Sequence, residues 1–264
     1  MIDTMIGFPD KDFAVYDFIR NQLKDGESTD FEFPVEYMFK NVPKELYGSD
    51  ADPIEVTLGE MDRFGIEYGL IGCEGEQSQR ALTEHPDRFI PQANVDPNDV
   101  MGEVRKIRRL KDEWDIKAVG TFPVGCTPQV PIDSPLYYPI YSTCCELDIP
   151  IFVCAGVPGP RLPMSPQLVE RIDQVMYDFP DLVFVTRHGC EPWEDLIVKF
   201  EGEVDNGDRW SRWSFIGRRP QGTLVSKDGR LQVIGDLGID IDPGEGMLTA
   251  LERLLAHGDG VAVL

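Results

Sequence analysis

The stretch from Asp148 to Trp193 constrains the fold more than any other part of this chain. It reads DIPIFVCAGVPGPRLP, then a helix-like run from Ser165 to Phe179, then DLVFVTRHGCEPW. Ile151 to Val153 and Leu182 to Val185 are short, nearly continuous apolar runs, as parallel strands buried on both faces require. Each run ends in residues of another kind: Cys154, Gly156 and Arg161 follow the first, and Arg187, His188 and Gly189 the second. Ligands of α/β folds meet the carboxyl ends of parallel strands, so these positions form the candidate site.

The preceding chain repeats the same alternation. MIDTMIGF reads as a first strand, followed by a helix over Lys11 to Leu23 with Phe13, Tyr16, Ile19 and Leu23 on one face. Ile54 to Phe64 is a helix closed by Gly65. Ile66 to Gly72, Phe89 to Val95 and Ile116 to Phe122 read as strands. Helices are expected up to His85, over Pro97 to Trp114 and over Ser134 to Leu147. Six strand–helix units predict right-handed βαβ connections and a parallel sheet. Residues 25 to 53, polar and aromatic by turns, are long for a loop and read either as a binding segment or as a packed surface excursion.

After Val198 the pattern fails. FEGEVDNGDRWSRWSFIGRRPQ is charged and broken by glycine, TLVSKDGRLQVIGDL reads as a hairpin around Asp228-Gly229, and Met247 to His257 as a last helix. The chain therefore divides into a barrel core, residues 1–198, and a divergent C-terminal segment, residues 199–264, which is either a native variation or a frame-shifted reading.

A length of 264 residues suits one α/β barrel of about 250 residues. With 25 basic and 47 acidic residues the net charge is −22, which argues against nucleic acid and anionic membrane as partners. No apolar run reaches the ~18 residues of a membrane span. Met1 leads straight into a strand-like segment without a signal-type region, so a cytoplasmic location is expected. The six cysteines show no CxxC spacing, and buried reduced thiols are the expectation. The partner expected is a small-molecule substrate, and a homo-oligomer is compatible with the sequence.

DLVFVTRHGCEPW resembles the FPDLKFVLAHGG strand of the amidohydrolase-related (amidohydrolase family 2) TIM-barrel proteins, which include aminocarboxymuconate-semialdehyde and 2,3-dihydroxybenzoate decarboxylases. IPIFVCAGVPGPR resembles that family's preceding strand, LPVLIHTG-PGP. HPDRFIPQANVDPND, Ile116 to Pro123 and the opening MIDTMIGFP fit the same template in the same order, so the resemblance covers roughly residues 1 to 198. It implies a TIM-like (β/α) barrel of the metal-dependent-hydrolase type, with an atypical or incomplete C-terminal part. It also implies a hydrolase or non-oxidative decarboxylase acting on a small cyclic or aromatic acid, and an insertion after strand one that covers the mouth.

The resemblance further implies a divalent metal, usually zinc, held by Asp-x-His-x-His at strand one, a His ending strand five and an Asp ending strand eight. Here Asp3 stands, but Met5 and Gly7 replace the two histidines and Cys154 replaces the third; Asp236 is the one candidate for the strand-eight Asp. A Cys154/His188/Asp3 zinc site is chemically conceivable, yet the usual ligands are largely missing. His188 matches the strand-six His and is the candidate general acid/base. Arg161, Arg187 and Trp193 are candidate substrate contacts. Arg161 could instead pair with a carboxylate, Trp193 could simply pack, and Cys154 could be a nucleophile or an inert apolar residue. Loss of the metal ligands leaves a second reading open, a non-catalytic binding barrel or pseudoenzyme.

Overall fold

In a computed structural model of the chain, the structure describes residues 1–8, 13–29, 51–190, 222–227, 230–235, 237–244, 249–250 and 253–254. It forms two compact units, Met1–Phe200 and Glu201–Leu264.

The first unit carries six strands: β1 (Ile2–Asp3), β2 (Tyr68–Gly72), β3 (Phe89–Val95), β4 (Ala118–Thr121), β5 (Ile151–Cys154) and β6 (Phe184–Arg187). They pair in sequence order, every pair parallel. The sheet is the one the alternation predicts, because each crossover carries helix: α1 (Asp17–Arg20), α2 (Gly26–Thr29) and α3 (Pro53–Arg63) before β2, then one α-helix per connection. These are α4 (Glu76–Glu84), α5 (Val100–Trp114), α6 (Tyr138–Leu147) and α7 (Glu170–Asp178).

Helix starts follow their capping chemistry. The Asp52 carboxylate accepts from Ile54 N with Pro53 at the first helical position, and Asp99 accepts from Gly102 N. A side chain at Gly102 would strike the Asp99 carboxylate at 2.0 Å, so the cap needs a glycine there. Two expected helices open with a 3-10 turn at their prolines, over Pro97–Asp99 and Ser165–Gln167.

Strand alternation sorts the core into two layers. Ile71, Ala93, Val119, Ile151 and Val153 face outward and pack with the apolar stripes of the helices, such as Val104, Ile107 and Leu110 of α5. Leu70, Ala118 and Phe152 face the other way and form a separate cluster with Ile90 and Val185. The register puts Gly72 beside Gln92, Gln92 beside Ala118, Asn94 beside Gly120, Gly120 beside Phe152, and Cys154 beside Arg187. These residues line the inner wall.

The sheet curls strongly. Six flat strands would hold β1 and β6 about 24 Å apart at five spacings of ~4.8 Å. Yet Arg187 at the end of β6 donates through Nη2 to Thr4 O, just past β1, at 3.1 Å, and to Gln92 Oε1 of β3 at 2.9 Å.

The first strand is shorter than its sequence suggests. The Asp3 carboxylate accepts from Met5 N at 2.8 Å, a local turn that competes with the ladder. Pairing is confined to Ile2 and Asp3, and Met5 is exposed.

The second unit contains the expected hairpin. β7 (Gly222–Lys227) and β8 (Arg230–Gly235) run antiparallel, with Lys227 opposite Arg230. Leu231 is buried and its N–H donates to Pro243 O at 2.9 Å. Of the expected last helix, only 249–250 and 253–254 are described, and they are helical. No described helix is long and apolar enough to cross a membrane.

Candidate functional site

The carboxyl ends of β3 to β6 bring polar groups to one end of the inner wall. In FIPQANV, Gln92 and Asn94 sit two residues apart and so share the inward face. Gln92 is buried and Asn94 exposed, which marks the direction in which the cluster opens to solvent. Gln92 Nε2 donates to Asn94 Oδ1 at 3.3 Å. Glycines make room for this layer: a Cβ at Gly72 would lie 2.8 Å from Asn94 Nδ2. One at Gly120 would lie 3.0 Å from Asn94 Oδ1 and 3.2 Å from both Gln92 Oε1 and Arg187 Nη1.

Arg187 is the centre of the cluster. Besides the bonds to Thr4 and Gln92, its guanidinium lies 5.4 Å from the Phe152 ring centroid, within cation–π range. It makes no ion pair among the described residues, and its Nε is buried without a hydrogen-bond partner. Burial pulls the Arg187 pKa down, partly opposed by Cys154 and Asp3.

His188 follows at once, exposed, at the start of a 3-10 turn His188–Cys190 and with φ of 65°. A non-glycine residue in this region is uncommon and marks a site whose surroundings over-determine the backbone. Desolvation, and then the neighbouring Arg187 charge, hold the His188 pKa below its usual 6.5. The imidazole is therefore neutral at pH 7 and ready to accept a proton.

Cys154 is buried on the inner wall beside Arg187, and burial pushes its thiol up to about 11. At neutral pH it is a protonated, apolar group rather than a nucleophile. Asp3 lies close enough for its charge to act on Arg187. Arg161 takes its other reading: its Nη1 donates to Asp25 Oδ1 at 3.1 Å, and the pair is partly exposed. Trp193 and Asp236 lie outside the described residues.

The structure thus sets Cys154 and Arg187 side by side on the inner wall, with His188 next in the chain and Asp3 within electrostatic reach of Arg187. Sequence reasoning missed Gln92, Asn94, Gly72 and Gly120. Their signal was available as two amides alternating within an apolar strand, and as glycines at the ends of two neighbouring strands.

The sequence model of the amidohydrolase family matches residues 36–221. This chain belongs to the amidohydrolase family. Among solved structures it is similar to an uncharacterised TIM-barrel protein from Bordetella bronchiseptica, with 22% identity over 76% of this chain and 70% of that one, at a TM-score of 0.56. It is also similar to a 5-carboxyvanillate decarboxylase from Novosphingobium aromaticivorans, with 17% identity over 76% of this chain and 68% of that one, at a TM-score of 0.55. Both likenesses show the TIM-barrel fold. No curated protein matches the sequence.

The metal implied by such a family does not fit the donors found here. Met5 is exposed beyond a shortened strand, and a guanidinium lies beside Cys154 on the inner wall. No group of three or more His, Cys, Asp or Glu side chains among the described residues is placed to hold an ion. A fixed positive charge at this point repels a second cation.

Proposed function

We propose that this amidohydrolase-family barrel acts on a small cyclic or aromatic acid, as a non-oxidative decarboxylase or an amidohydrolase-like hydrolase, with His188 as general acid/base. The observation that carries this reading is an imidazole at the carboxyl end of β6, next to an inward guanidinium. The family match and the acid-decarboxylating neighbour support it.

Decarboxylation suits these groups better than hydrolysis. A metal lowers the pKa of bound water from 15.7 to about 7, and the donors here supply no such activation. A phenolic acid brings its own. His188 takes the proton of the ring hydroxyl, and the resulting imidazolium protonates the ring carbon that bears the carboxylate. The carbon–carboxylate bond then breaks, its electron pair returns to the ring, carbon dioxide leaves and aromaticity is restored. Atoms and charge balance, since the hydroxyl proton ends on carbon.

The test is turnover of a panel of hydroxybenzoates in deuterium oxide. Product should carry deuterium at the ring carbon that bore the carboxylate. The acid limb of kcat/KM should lie below pH 6.5, because a depressed imidazole pKa keeps the base available until the pH falls through that lower value. Bound acids with neither exchange nor carbon dioxide release would favour the second reading, a binding barrel, which Met5, Gly7 and Cys154 at the ligand positions support. We place the protein in the cytoplasm, a reading supported by six cysteines of which none forms a disulfide.

A further inference from the structure

We propose that Arg187 is a carboxylate-binding site built into the barrel interior, a fixed cation serving in place of the divalent metal that the family resemblance implies. The proposal rests on the reading of this barrel end as the substrate site and names what holds the acid there.

The charge balance is the first argument. The chain carries 47 acidic residues against 25 basic, so carboxylates are the most available partners on the molecule. Arg161, Arg171, Arg108 and Arg88 each have one. Arg187 makes no ion pair among the described residues, although it is the arginine set into the inner wall. A charge withdrawn from water is costly unless paired and fully hydrogen-bonded. Its neighbours there include Gln92, Asn94 and Phe152, which carry no charge, and Cys154. Asp3 acts only from beyond ion-pair distance.

The second argument is donor accounting. A guanidinium presents five N–H groups and no acceptor. Both on Nη2 are taken by Thr4 O and Gln92 Oε1. Nε–H is buried without a partner, and the Nη1 pair meets no acceptor among the described residues. A buried orphan donor of this kind is costly and calls for an explanation. An anion at the Nη1 pair supplies the missing counter-charge, because charge-assisted hydrogen bonds to a carboxylate are the strong ones.

The third argument is rigidity and access. Bonds to Gln92 of β3 and to Thr4 just past β1, with the Phe152 face, fix the guanidinium before any ligand arrives, which limits the ordering cost of binding. Gly120 keeps the space beside Nη1 from being filled by a side chain of its own strand. Asn94, exposed at the rim, offers an Nδ2 donor that meets no acceptor among the described residues.

The experiment is calorimetric titration of the full-length protein at low ionic strength with benzoate and with benzamide, its neutral isostere. Benzoate should bind saturably, and benzamide roughly tenfold more weakly or worse. Arg187→Met should lose benzoate by a similar factor. Arg187→Lys should recover only part of it, since the charge is restored without the planar guanidinium that Thr4 and Gln92 hold in place. Equal binding of benzoate and benzamide by the wild type would overturn the proposal whether or not the variants fold. Benzoate affinity unchanged in folded Arg187→Met would overturn it too, by placing the anion elsewhere. Turnover of aromatic acids with an unaltered KM in Arg187→Met would sink this inference and leave the proposed function standing. Benzoate binding that needs Arg187, in a protein that turns over no acid, would support the inference and remove the proposed chemistry.

Discussion

His188→Ala is expected to lower kcat by about 10²–10⁴-fold, the range an acid/base group contributes, while KM changes little. The imidazole is the proton carrier of the proposed reaction, whereas the acid is held by Arg187. The residue is exposed, so its removal opens no cavity in the core. Its backbone, however, is left-handed at φ of 65°, a region that costs an alanine roughly 1–2 kcal/mol. His188→Asn separates the two effects, because asparagine tolerates this conformation but does not titrate near neutrality. Both variants should lose turnover, and the asparagine form should keep the wild-type melting temperature. Wild-type rates in folded His188→Asn would remove the residue from the mechanism.

The largest stability effect is expected at Tyr141. This side chain is fully buried on α6. It stacks on Tyr137 at 5.4 Å and meets Phe179 edge-on at 5.6 Å. Its hydroxyl donates to Ile132 O at 2.8 Å. Tyr141→Ala removes a ring from the layer between helices and sheet and orphans a buried carbonyl. About 3–5 kcal/mol should be lost by analogy with other aromatic truncations, against a typical total of about 5–15 kcal/mol. Tyr141→Phe deletes only the hydrogen bond and should cost about 1 kcal/mol. Urea unfolding of the three proteins measures both numbers. A loss in Tyr141→Ala no larger than in Tyr141→Phe would show that the ring is not a core element.

Much of this architecture was legible in the sequence, and the reason is local. Buried parallel strands read as short apolar runs, and FIPQANV and IFVC fall where pairing is observed. Helix stripes such as Val104, Ile107 and Leu110 declare their inward face through spacing alone. The hairpin of the second unit followed from a turn dipeptide between two alternating segments. Strand one was overextended because the Asp3 turn onto Met5 N competes with pairing, and no hydrophobic period reports such a turn.

The site was legible only in part. His188 and Arg187 lie at a strand end and could be read there. That Arg187, and not Arg161, is the inward guanidinium depends on pairing partners far away in sequence. Arg161 is claimed by Asp25, 136 residues earlier. Arg187 is held by Gln92 and Thr4, 95 and 183 residues away. A curled sheet creates those contacts, and one-dimensional pattern carries no trace of them.

Arg187 is proposed to stand where the family resemblance implies a metal, and metal stoichiometry tests this most directly. The full-length protein should be dialysed to equilibrium against zinc and against manganese, and then analysed for bound metal. Neither ion should be retained stoichiometrically, because the inner wall sets a guanidinium beside Cys154, where ligands are needed. One tightly held equivalent per chain, lost on Cys154→Ala or His188→Asn, would contradict the account.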